Sequence, residues 1–70
     1  MILIGVTTNT GTRIFINPDN IECVIPSFNE DKGATIAMMN GTQFYVNETP
    51  KEIIKLIDRL KYVEREKKGP

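Results

Sequence analysis

Apolar positions along this chain follow two rhythms. They alternate or bunch in short β-branched runs up to residue 47, then recur at helical spacing from residue 53. Ile2 to Thr8 is β-branched and apolar and predicts a first strand. Asn9-Thr10-Gly11 punctuates it, and Thr12 to Asn17 reads as a second strand paired back on the first. Asn17-Pro18-Asp19-Asn20 predicts a turn, because Pro18 fixes φ at the corner and Asp or Asn bonds locally to the backbone. Ile21 to Ile25 makes a third strand that Pro26 stops. Polar residues and Gly33 make 27–33 an exposed loop. Ala34 to Met39 and Thr42 to Asn47 are then the fourth and fifth strands, joined through Asn40-Gly41. That dipeptide is the usual signature of a two-residue type I′ hairpin turn.

The rhythm changes at Glu48-Thr49-Pro50-Lys51-Glu52. Thr49 can cap a helix, Pro50 loses nothing at its first position, and Glu52 stands where a capping box needs a carboxylate. From Pro50 to about Glu64 the spacing predicts a helix with Ile53, Ile54, Leu56, Ile57, Leu60 and Val63 on one arc. Glu64 falls in that stripe, so the helix is expected to leave the body there, with 65–70 a charged, flexible tail. Fold class is therefore α+β: five antiparallel strands, in two hairpin units plus a connecting strand, then one C-terminal amphipathic helix on a single sheet face. Residues 1–64 make one domain.

Two segments echo each other. Gly11-Thr12-Arg13-Ile14-Phe15-Ile16-Asn17 and Gly41-Thr42-Gln43-Phe44-Tyr45-Val46-Asn47 share Gly-Thr-x, three apolar residues and Asn. Both are the second strand of a hairpin, so the echo is structural. With a two-residue turn at Asn40-Gly41, Ala37 opposes Phe44 and Thr35 opposes Val46, leaving Ile36, Met38, Gln43 and Tyr45 on the other face. In the first hairpin Leu3, Ile14 and Ile16 alternate against Ile2, Ile4, Val6 and Phe15. Both faces then look apolar, and one helix covers only one. The uncovered set is Ile2, Ile4, Val6, Phe15, Ile36, Met38 and Tyr45. It needs either strong curling of the sheet or a second subunit, and a homo-oligomer face is the expectation.

The chain has 70 residues, enough for one small core, and self-association often supplements such a core. Nine basic residues balance nine acidic ones, so no net field draws the protein to nucleic acid or anionic lipid. There is no histidine and one cysteine, Cys23. That inventory excludes a Cys–His pair, a Ser–His triad or a histidine-ligated zinc site within one chain. Gly11 and Gly41 are explained by their hairpins and lie in no phosphate-cradling pattern. An enzyme is not expected, nor a cofactor or a metal. Cys23 alternates with Ile21 and Ile25, so it reads as a small buried hydrophobe. A lone thiol fits a reducing compartment, and the apolar N-terminal run lacks a basic flank and spanning length. The expected place is the cytoplasm, away from the membrane.

One polar feature invites a ligand. Lys51, Lys55 and Arg59 recur every four residues along the helix, with Tyr62 three beyond, so like charges stack on one ridge. Such a ridge could hold phosphates or an acidic partner. Glu52, Asp58 and Glu66 flank it, however, and a solvated face is the plainer reading.

Asn9-Thr10-Gly11, Ile16-Asn17-Pro18-Asp19-Asn20-Ile21-Glu22, Met39-Asn40-Gly41, Val46-Asn47-Glu48-Thr49 and Glu52-Ile53 resemble the small FlbD-type flagellar and swarming-motility proteins. The resemblance runs from residue 2 to about residue 60, and the 27–33 loop and the Lys/Glu-rich tail depart from it. It implies a non-enzymatic accessory protein that acts through protein contacts, and it supplies no catalytic residues. Two functions follow as expectations: a self-associating interaction module, or a small nucleic-acid-binding protein using the Lys51/Lys55/Arg59/Tyr62 ridge. A mobile-element-encoded protein on the same plan is a further alternative.

Overall fold

The computed structural model describes residues 2–28 and 32–67, and helix side chains as far as Lys61. Its strands are β1 (Ile4–Thr7), β2 (Arg13–Ile16), β3 (Ile21–Pro26), β4 (Ala34–Met38) and β5 (Gln43–Val46). A 3-10 turn, Pro18–Asn20, joins β2 to β3, and α1 (Pro50–Lys67) closes the chain. The expected five antiparallel strands and terminal helix are all present. α1 continues past Glu64 to Lys67, so the segment expected to be a tail begins as helix, and residues 68–70 lie outside the described part.

Both hairpins turn in the same way, and it is not the type I′ turn expected at Asn40-Gly41. The N–H groups of Thr8 and Met38 each donate to a carbonyl four residues on, those of Thr12 and Thr42, at 2.8 Å. The carbonyl of each also accepts the N–H of a glycine three residues on, Gly11 and Gly41. Those glycines have φ of 90° and 91°, and no described non-glycine residue has positive φ. A type I′ turn would need positive φ at Asn40 too. The loops are three residues long, ending in a left-handed glycine as a G1 bulge requires. The thirty-residue echo is thus a repeated turn.

One extra loop residue changes every face of the hairpin. β4 and β5 pair Ala34 with Val46 and Ile36 with Phe44, which point inward, while Thr35–Tyr45 and Ala37–Gln43 lie on the outer face. β1 and β2 pair Ile4 with Ile16 and Val6 with Ile14 inward, leaving Gly5–Phe15 and Thr7–Arg13 outside. The core is Ile4, Val6, Ile16, Ala34, Ile36, Val46 and Ile53. Ile4, Val6 and Ile36, assigned from sequence to an uncovered face, are therefore core residues.

The two-stranded sheet β1–β2 and the three-stranded sheet β3–β4–β5 meet where the chain ends of β1 and β5 touch. Thr8 bridges Val46, the Asn9 N–H donates to the Tyr45 carbonyl at 2.9 Å, and the Asn47 N–H to the Thr7 carbonyl at 2.8 Å. The strands consequently follow the order β2-β1-β5-β4-β3 around one core. This curling, which the sequence left open, buries what a flat sheet would expose. The 3-10 turn is held by Asn17, whose side chain accepts the Asp19 N–H at 3.0 Å, and by Met39, whose N–H donates to the Asn20 carbonyl.

The helix starts as its sequence demands. Thr49 Oγ1 accepts the Glu52 N–H at 3.3 Å, and Glu52 Oε1 accepts the Thr49 N–H at 3.2 Å, a reciprocal capping box. α1 packs across β1 and β3. Ile53 is fully buried, and Leu56, Ile57 and Leu60 pack against the core. Ile54, expected in the same stripe, is 54% exposed, since one residue on from Ile53 turns it about 100° away.

Cys23 is exposed, not buried. A bulge between Ile21 and Cys23 shifts the register, so Ile21 faces Met38 while Cys23 faces Ala37 on the outer surface.

Candidate functional site

The seven residues expected to form an oligomer face separate by depth. Ile4, Val6 and Ile36 are buried, Ile2 and Met38 are half-buried, and Phe15 and Tyr45 stand out at 63% and 58% exposure. Around Tyr45 the outer face of the three-stranded sheet carries a cross-strand row. Tyr45 pairs with Thr35, and Thr35 with Ile25, whose side chain is also exposed. Leu3, just before β1, and Phe15, on β2 opposite Gly5, are exposed as well.

The helix ridge is divided as well. Lys51, Lys55 and Arg59 are all exposed, but only Lys55 and Arg59 line a groove of about 380 Å³ between α1 and the first hairpin. Lys51 lies outside its walls, and the side chain of Tyr62 is outside the described residues. Across the groove the third cation is Arg13, with Gly5, Glu48, Glu52 and Leu56 completing the lining.

Arg13 is anchored from several sides. Its Nη1 donates to Thr7 Oγ1 at 3.2 Å and sits 3.7 Å from Glu48 Oε2. Its guanidinium lies 5.9 Å from the centre of the Phe15 ring, within cation–π range. Gly5 leaves room beneath it, since a Cβ there would come within 2.7 Å of Arg13 Nη2. Glu48 holds both sides together, because its Oε1 accepts the Thr7 backbone N–H at 2.8 Å. Arg13 and Glu48 were missed in the sequence. The available signal was that Arg13 puts a charge at the variable position of Gly-Thr-x, where its counterpart in the echo is the neutral Gln43.

A second concavity, about 520 Å³, lies between the 3-10 turn and the second hairpin, with Ile16, Met38 and Phe44 as apolar walls and Asn17 and Asn20 at its rim. Among the described residues no three of His, Cys, Asp and Glu converge as metal ligands. Nor is any described helix long and apolar enough to cross a membrane.

The family described as FlbD, flagellar and swarming motility proteins, matches residues 3–63. The chain belongs to the FlbD family. The match takes in both hairpins, the 3-10 turn and α1 past Leu60, the last core-packed residue among the described side chains; that of Val63, expected on the same stripe, lies outside them. No curated protein and no solved structure matches it significantly. Within the matched span of this FlbD chain, the residues that build turns, caps and core are accompanied by exposed ones, among them Phe15, Tyr45 and Ile25 on the strands and the cations of the Arg13–Lys55–Arg59 groove.

Proposed function

We propose that this FlbD-family protein is a non-enzymatic accessory of flagellar or swarming motility that works through protein contacts and self-association in the cytoplasm. The observation that carries the reading is the exposure of Phe15 and Tyr45, two aromatics held out on strands inside the matched span. Family membership supports the motility setting, and the aromatics support the mode of action, because exposed aromatics on a rigid sheet are efficient contact residues. Self-association runs through the outer strand surface, with the Ile25–Thr35–Tyr45 row and Phe15 as its contacts. This replaces the set that included Ile4, Val6 and Ile36, which already serve the core.

Light scattering coupled to size exclusion tests self-association. An oligomer is expected for the wild type and a shift toward monomer for Phe15→Glu and Tyr45→Glu. A wild-type monomer at high micromolar concentration would overturn it, as would an oligomer that both variants retain. Swarm expansion of a strain lacking the gene tests the setting. Reduced expansion restored by wild type, and not by Tyr45→Glu, is expected; unchanged swarming would reject the motility role.

A further inference from the structure

We propose that the groove between the first hairpin and α1 is a docking site for an acidic peptide segment, carboxylates flanked by apolar side chains, on a partner protein. The inference rests on the reading of this chain as a protein-contact module and names the chemistry of one partner. Three cations, Arg13, Lys55 and Arg59, converge on the groove from two separate elements. The two carboxylates in the same walls are already engaged. Glu48 turns Oε1 to the Thr7 N–H and Oε2 to Arg13, and Glu52 Oε1 is taken up by the Thr49 N–H and hydroxyl. Among the described residues Arg13–Glu48 is the one ion pair, so Lys55 and Arg59 face the groove with no paired carboxylate. Those two cations are four residues apart on one helix face, where like charges repel on an isolated helix and an incoming anion relieves the repulsion.

The third cation is fixed in advance. Arg13 is held by Thr7 Oγ1, Glu48 and the Phe15 ring, and lies over the bare backbone of Gly5. A guanidinium held in place loses little freedom on meeting a carboxylate, and its fork suits a bidentate contact. The rest of the lining favours a peptide over a polyphosphate. Leu56 gives the floor an apolar contact, and Glu48 and Glu52 leave the walls only one positive charge in excess. A nucleic-acid backbone with a charge at every residue would meet those carboxylates, whereas a peptide can space its own around them.

The test uses the full chain, labelled with ¹⁵N and titrated with a short peptide alternating glutamate and leucine. Saturable shifts are expected at Gly5, Arg13, Lys55, Leu56 and Arg59. The Lys55→Glu, Arg59→Glu double variant should weaken binding about tenfold or more, and Lys51→Glu, outside the groove, should change it less than about twofold. Absence of saturable shifts at the groove would overturn the proposal, as would an equal loss from Lys51→Glu. A single-stranded oligonucleotide that binds the same residues more tightly than the peptide would overturn it in favour of phosphate. Light scattering on the same samples reports self-association separately. An oligomer that binds no peptide overturns the groove alone, and a monomer that binds it supports the groove while overturning self-association.

Discussion

Glu48 Oε1 accepts the backbone N–H of Thr7 at 2.8 Å, across 41 positions of sequence. β1 and β5 part company at this point. The Asn47 N–H still reaches the Thr7 carbonyl, but the next partner of the ladder is a side chain, and Glu48 supplies it. The carboxylate is 16% exposed and its Arg13 partner 58%, so the backbone bond matters more to stability than the ion pair.

Glu48→Ala should therefore cost about 1–3 kcal/mol, the cost of stranding a part-buried N–H. Glu48→Gln keeps an oxygen for Thr7 and loses only the Arg13 attraction, so it should cost less than about 1 kcal/mol. Urea denaturation of the two variants checks the order. Equal losses would mean that the charge, and not the hydrogen bond, joins the two sheets.

Ile53 and Ile54 are adjacent, and their exposures are 0% and 54%. Ile53→Ala opens a cavity in the centre of the core and should lower stability by about 2–5 kcal/mol. Ile54→Ala should stay within about 0.5 kcal/mol of wild type. Thermal or urea unfolding separates the two, and comparable losses would show that α1 is rotated from the position described.

Gly33 has φ of 116°, and a Cβ there would stand 2.2 Å from the Val46 carbonyl oxygen. Gly33→Ala should cost about 3 kcal/mol or more, combining left-side backbone strain with a clash against main chain. Gly41, at φ 91°, has open space around its Cβ position, so Gly41→Asn should cost only about 1 kcal/mol. The ratio of the two losses in one denaturation series tests whether β5 passes that closely over Gly33.

Asn40 does not have positive φ, and its side-chain oxygen accepts the Thr42 N–H at 3.0 Å. Asn40→Ala should thus cost no more than about 1 kcal/mol, the worth of one exposed hydrogen bond. A type I′ turn would add a left-handed penalty of about 1–2 kcal/mol at that residue. Unfolding midpoints, with Asn40→Asp as the variant that preserves the acceptor, distinguish the two geometries.

Local chemistry determined the element list. Thr49, Pro50 and Glu52 specify a helix start within one turn of chain, and the reciprocal bonds between Thr49 and Glu52 are the ones their spacing calls for. Gly11 and Gly41 mark both hairpins, Asn17 and Pro18 mark the corner, and β-branched runs fill the strands, each through interactions within a few residues. Tertiary structure decided which side of each strand is inside. Asn40-Gly41 fits a two-residue or a three-residue loop, and the choice moves Ile36 between surface and core because side chains alternate with a period of two. The longer loop places Ile4, Val6, Ile36 and Val46 on one concave side, where they and Ile53 exclude water together. Cys23 left the interior for the same kind of reason, a single bulged residue before it. Of the Arg13–Lys55–Arg59 groove only the helix half was legible, as the repeat of Lys55 and Arg59 at four-residue spacing. Arg13 lies more than forty positions from both helix cations, and what brings it to them is the packing of α1 beside β1, with Gly5 low enough to let Arg13 lie across it.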